Sequence, residues 1–214
     1  MDFRFRASGI WEIMGDPRTG TGLSQTAKTA LDSMAKEFVY GYCQIIDSKE
    51  MKKGTDCEDD SIALLNAVLF TNYKKNEEKK KDEYFSGSCD LWVPGERIRD
   101  IKTAWSLHSF PATSDKVDQI AVKSGYDWQG RVYMRLWDEQ AFSVDYCLVT
   151  TPPDLRRYEQ KELHEVDHIP PHLRVTSAHY KRDLSLEQKM VDKVGLAREY
   201  LKDQVARINL DHKI

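Results

Sequence analysis

The residues best suited to chemistry lie in one stretch, Ser88-Cys-Asp-Leu-Trp-Val-Pro-Gly-Glu-Arg-Ile-Arg-Asp-Ile-Lys-Thr103, which reads as two short strands joined at Pro94-Gly95. On the second strand side chains alternate faces, so Asp100 and Lys102 point one way while Ile101 points into the opposite layer. A carboxylate and an amine then share a surface. Whether Asp90 joins them depends on hairpin register. A two-residue loop at Pro94-Gly95 sets Asp90 opposite Arg99 and sends it to the wrong face. An odd-length loop, Pro94-Gly95-Glu96 or one residue longer at each end, sets Asp90 opposite Asp100 with Cβ atoms roughly 4.5–5.5 Å apart. The odd loop is expected, and that separation suits two carboxylates sharing one divalent cation.

Other elements must bring further groups to this surface. Ile62, Leu65, Leu69 and Tyr73 recur at helical spacing, and Glu58, four residues before Ile62, falls on the same apolar stripe. An ionised carboxylate there is costly unless paired or coordinated, which favours a functional Glu58 over a purely structural one. Its neighbours Asp56, Asp59 and Asp60 suit the positive end of the helix dipole. Tyr126 to Trp137 has the length and periodicity of a helix, with Gln129 and Tyr133 on one face. Core packing explains a Tyr there, but a buried Gln needs a hydrogen-bonding partner. Ser8 precedes an apolar-periodic segment, Gly9 to Met14, and either caps it or, with Arg6, holds a phosphate. Gly15 to Gly22 reads as a loop centred on Arg18, and Ser24 as the cap of a helix over roughly residues 25–40.

The charge run Lys74 to Asp82 is expected as an exposed helix end, with a DNA-facing role as the lesser alternative. Phe142 to Val149 alternates as a strand and stops at Pro152-Pro153. A polar helix, a second strand near Leu173–Tyr180 and a long amphipathic helix from Ser185 to about Ile208 complete the chain.

At 214 residues, 40% hydrophobic and 31% charged, the chain is long enough for one sizeable core. The fold class expected is α/β, a single domain 1–214 with a central mixed β-sheet flanked by helices. Its core spans about 50–150, with a helical N-terminal segment 1–49 and a C-terminal strand and helix over 170–214. No apolar run approaches a membrane span, and Met-Asp-Phe-Arg-Phe-Arg lacks a signal-peptide pattern, so a cytoplasmic protein is expected. Cys43, Cys57, Cys89 and Cys147 are widely spaced, without a metal or redox pair. A net charge of -3 gives no global attraction to nucleic acid, so contact with DNA must come from local basic groups and a bound cation.

Taken in order, Gly54-x-x-x-Glu58, Asp90, Asp100-x-Lys102 and Gln129-x-x-x-Tyr133 resemble the PD-(D/E)XK nuclease superfamily, in the RecB-like branch that includes phage lambda exonuclease and YqaJ-type phage recombination exonucleases. The resemblance spans roughly residues 4–150. Phe5-Arg-Ala-Ser8 is similar to the segment that holds the 5′-phosphate in the lambda-type enzymes. Two departures stand out: Asp100 replaces the Glu of many relatives, and Cys89 rather than Pro precedes Asp90.

The resemblance implies a restriction-endonuclease-like core and hydrolysis of DNA phosphodiesters. It assigns Mg²⁺ or Mn²⁺ to Asp90, Asp100 and the backbone carbonyl of Ile101, with Glu58 acting through a water or a second ion. Lys102 would orient the attacking water and stabilise developing charge. Gln129 and Tyr133 would position the active strand or contact the DNA backbone, and Arg6 and Ser8, with Arg18 as a further candidate, would hold a terminal phosphate. An iron–sulfur cluster is not expected, because only Cys147 follows Tyr133. The implied function is an end-directed exonuclease on linear duplex, 5′ to 3′, in phage-type recombination inside a bacterial or phage-infected cell, as a homotrimer with a single-strand annealing protein. The alternatives are an endonuclease or single-strand nuclease of defence or repair, and a catalytically silent nucleic-acid-binding module.

Overall fold

In a computed structural model, which describes residues 3–45 and 47–212, the chain follows β1 (Phe5–Arg6), α1 (Trp11–Met14), α2 (Gln25–Tyr40), α3 (Lys49–Asp56), α4 (Glu58–Leu69), β2 (Lys80–Lys81), β3 (Phe85–Gly87) and β4 (Ile98–Thr103). It continues through α5 (Ser114–Ser124), α6 (Tyr126–Trp137), β5 (Ala141–Cys147), α7 (Pro153–Arg156), β6 (Val175–Lys181) and α8 (Leu184–Asp211). Local signals account for several boundaries. Ser24 Oγ accepts the Ala27 N–H at 3.1 Å and starts α2. Asp183 does the same for α8 through the Ser185 and Leu186 N–H groups, and Glu58, Asp59 and Asp60 fill the first turn of α4. Among the described residues no helix is long and apolar enough to cross a membrane.

The α/β class holds, but the single central sheet does not. The strands form two three-stranded mixed sheets, β1-β3-β2 and β4-β5-β6. The reason lies between β3 and β4, where only Leu91 pairs regularly, bridging Lys75 on one side and Arg99 on the other. The charge run is likewise extended rather than helical. The Asn76 N–H donates to the Asp90 carbonyl at 2.7 Å, and Lys80 and Lys81 pair antiparallel with Gly87 and Ser86, so strand partners override helical charge spacing. Helix α4 ends at Leu69, leaving Tyr73 outside it. The polar helix expected after Pro152-Pro153 is a single turn, α7. Ser8 sits inside a 3-10 turn, Ala7–Gly9, and caps nothing.

In the second sheet β4 runs parallel to β5, with Lys102 beside Tyr146, and β5 pairs antiparallel with β6. The buried Arg99 donates to Asp145 at 2.8 Å and locks β4 to β5 on the face opposite Asp100. Helix α6 lies close on this sheet because Gly130 has no side chain: a Cβ there would stand 2.1 Å from the Phe142 ring. On α3, Lys53 is fully buried and donates to three backbone carbonyls, Ala104 at 2.8 Å, Trp105 at 3.0 Å and Val149 at 2.9 Å. It ties the helix that leads into Glu58 to the chain just beyond β4 and β5. Burial pulls its ammonium down to about 8.

Lys53→Met keeps the stem and removes the donor. It should lower the unfolding free energy by about 3 kcal/mol, measured by urea denaturation; a loss below about 0.5 kcal/mol would mean that the three carbonyls find other donors.

Candidate active site

The register that decides the site follows from one reciprocal pair. The Leu91 N–H donates to the Arg99 carbonyl and the Arg99 N–H to the Leu91 carbonyl, each at 3.1 Å, so in an antiparallel ladder Asp90 stands opposite Asp100. The connection covers residues 92–98, longer than the expected loop but odd in length, with Gly95 at its centre in the left-handed region at φ 79°.

The carboxylates are held differently. Asp90 Oδ2 accepts the Ile101 N–H at 2.6 Å. Asp100 is 1% exposed, and its Oδ1 accepts from Gln129 Nε2 at 3.3 Å. Gln129 Nε2 also donates to the Tyr133 hydroxyl at 2.7 Å. Asp100 Oδ2 is buried without a hydrogen-bond donor. Lys102 Nζ stands 2.7 Å from that oxygen as an ion pair, so the ammonium meets its charge directly.

Burial, and then the charge of Asp100, push the Asp90 carboxyl up to about 7. Burial opposes the charged form of Lys102, but Asp100 and then Asp90 outweigh it and raise the ammonium above its ordinary value. Burial and Asp100 also keep the Tyr133 phenol protonated.

These groups face one cleft of about 460 Å³, lined by Glu58, Asp90, Asp100, Ile101, Lys102 and Gln129 together with Tyr126 and Tyr146. Glu58 stands in the cleft but is bound to Lys75, Nζ to Oε2 2.6 Å, rather than to the aspartates. Among the described residues no three His, Cys, Asp or Glu side chains converge at metal-ligating distance. The carboxylates left facing each other in the cleft are thus Asp90 and Asp100, with Glu58 held by Lys75. Two facing carboxylates share the single ammonium of Lys102, which leaves room in the cleft for a further positive charge. That chemistry fits a hard divalent cation.

A second depression, about 700 Å³, is lined by Arg6, Ser8, Lys79 to Lys81, Ser86, Ser88 and Tyr133. Arg6 and Ser8 thus meet as expected, but Arg18 lies on an exposed loop outside the lining of both cavities. Tyr133 borders the basic depression while its hydroxyl takes the Gln129 hydrogen bond from the acidic cleft, so the two cavities meet at this pair. A DNA-facing role for these lysines is only the lesser alternative in the sequence, because a mixed charge run reads first as solvated surface. Gly87 permits the close approach at their junction: a Cβ there would lie 2.9 Å from the Tyr133 ring and 3.0 Å from Ala7 Cβ.

No protein-family model matches the chain, and no curated protein does. Solved structures do. A phage-related exonuclease from Haemophilus somnus 129PT superposes with a TM-score of 0.91 at 31% identity, covering 97% of each chain. The alkaline exonuclease LHK-Exo from Laribacter hongkongensis superposes with a TM-score of 0.66 at 13% identity, over 97% of this chain and 92% of that one. Its complex with dAMP does so with a TM-score of 0.62 at 15% identity over the same shares. The last two establish likeness of fold.

A carboxyl raised from 3.8 to about 7 binds its proton more tightly in the folded chain, so its stabilising contribution is complete below about pH 4 and is lost as pH rises through 7. Asp90→Asn keeps an acceptor for the Ile101 N–H and removes the charge. The metal-free variant should exceed the unsubstituted protein in stability by about 2 kcal/mol at pH 8 and show little gain at pH 4, by urea denaturation. Equal effects at both pH values would refute the raised carboxyl.

Proposed function

The chain belongs to the lambda-type family of phage-related exonucleases, and from that premise we propose that it is a metal-dependent deoxyribonuclease acting on linear duplex DNA from an end, with 5′ to 3′ polarity. The observation that carries this reading is the opposition of Asp90 and Asp100 across the ladder, with Lys102 in the same cleft and a basic depression adjoining it.

In this reading Asp90, Asp100 and the Ile101 carbonyl would hold Mg²⁺ or Mn²⁺, with Glu58 joining through a water or a second ion. A cation so held supplies charge neutralisation at the scissile phosphate and acidifies a water. Gln129 fixes the Asp100 carboxylate by donating to Oδ1 and couples it to Tyr133. The Lys102 ammonium, 2.7 Å from Asp100, orients the attacking water and offsets charge growing on the phosphoryl oxygens.

Arg6, Ser8 and the lysines at 79–81 hold the terminal phosphate, so that the bond a short distance inward reaches the carboxylates. The Laribacter hongkongensis exonuclease binds dAMP, which supports a deoxynucleotide ligand for this chain as well. A homotrimer, an annealing-protein partner and a role in phage recombination belong to the same proposal.

The test is digestion of linear 5′-phosphorylated duplex beside closed circular duplex, with Mg²⁺, with Mn²⁺ and with chelator. Only the linear substrate should be lost, only with metal, and Lys102→Ala should lower the rate by at least about 100-fold. Loss of the closed circle would establish an endonuclease instead, and full activity in Lys102→Ala would remove the assigned mechanism.

A further inference from the structure

Lys102 carries a flexible four-carbon stem, and a mobile ammonium is a poor catalytic group. Two contacts hold the ammonium: the charge contact with Asp100, and the face of Tyr126, whose ring centroid lies 4.2 Å away. A cation above an aromatic face at this distance is attracted by the ring quadrupole, more strongly when both are partly desolvated, as here. If Asp100 turns its charge to a divalent cation, its attraction for Lys102 weakens, and the ring is the partner that remains.

The backbone fixes where that ring sits. Tyr126 is the first residue of α6 and follows Gly125, which is left-handed at φ 74°. Trp11 of α1 covers Gly125 so closely that an added Cβ would stand 2.2 Å from the Trp11 side chain. At this start of α6, Tyr126 faces Lys102 while Gln129, three residues on, reaches Asp100. Tyr146, the neighbour of Lys102 across the parallel β4–β5 pair, lines the same cleft.

We propose that Tyr126 is a positioning residue for the reaction: its ring face holds the Lys102 ammonium in place when the carboxylates are engaged by a cation. The inference rests on the nuclease reading for its catalytic consequence but not for the contact itself. The ring face carries the effect, so Phe should serve and an aliphatic side chain should not.

The experiment compares Tyr126→Phe, Tyr126→Leu and Tyr126→Met with the unsubstituted protein, the Met variant securing a folded aliphatic replacement if Leu packs badly. Each is assayed for kcat on linear 5′-phosphorylated duplex with Mg²⁺, for duplex affinity with Ca²⁺, and by NMR of ¹³C-labelled lysine. The ε-methylene signal of Lys102, assigned by its loss in Lys102→Ala, reports the ring current of Tyr126.

The expected result is a ring-shifted signal in the unsubstituted and Phe proteins that is absent from Leu and Met. With it, kcat should fall about tenfold in Leu and Met and stay within about twofold in Phe, at unchanged duplex affinity. An unshifted Lys102 signal in the unsubstituted protein would overturn the contact. Full kcat in Leu and Met, a loss in Phe equal to theirs, or a loss of affinity in place of kcat would overturn the role, the last by showing that Tyr126 touches substrate directly. A ring-shifted signal in a protein inert on DNA would sink the nuclease reading and the catalytic role together while leaving the contact established.

Discussion

Two carboxylates facing each other across an antiparallel ladder repel, and the surrounding elements are arranged around that repulsion. It is sustained from three directions. The Ile101 N–H donates to Asp90, Gln129 donates to Asp100, and Lys102 supplies one positive charge. These do not fully offset the repulsion, since the Asp90 carboxyl is held near 7 by burial and by Asp100. A site stabilised for its own sake would have an amide or a second cationic side chain here. Retaining the charge lowers the stability of the folded chain and leaves a place for a cation.

Helix α6 is the element on which this arrangement leans most. Along one helical face it presents Tyr126 to Lys102, Gln129 to Asp100, the bare Gly130 to Phe142, and Tyr133 to the junction with the basic depression. Trp11 packs over Gly125 at its start and the Phe142 ring over Gly130 further along, so neighbours occupy the space that side chains at both glycines would take. On the opposite face of β4, the Arg99–Asp145 pair holds the strand in register. A one-residue slip would bring Arg99 opposite Asp90 and leave Asp145 buried without its cation.

Features with a strict period or a local chemical cause were legible in the sequence. Strand alternation placed Asp100 with Lys102, loop parity placed Asp90 opposite Asp100, and helical spacing joined Gln129 to Tyr133. Ser24 announced the start of α2. What escaped depends on partners distant in the chain. The run Lys74 to Asp82 has helical charge spacing, yet pairs with Leu91, Asp90 and β3, so its lysines border the basic depression. The expected single sheet divides because the stretch between β3 and β4 pairs only at Leu91. Nothing local marks Lys53 for burial, because its three acceptors come from residues 104, 105 and 149. Ser8 resembled a cap, but the chain had already turned at Ala7.

If register makes Asp90 and Asp100 a single cation site, as proposed, that site binds a cation independently of any activity on DNA. The direct measurement is calorimetric titration of Mn²⁺ into the DNA-free protein and into Asp100→Asn, at a pH above 7, where the Asp90 carboxyl is ionised. Binding in the unsubstituted chain that is lost in Asp100→Asn is the result expected. Binding of equal strength in both would place the cation elsewhere, and no binding in either would mean that the facing carboxylates are balanced by the protein alone.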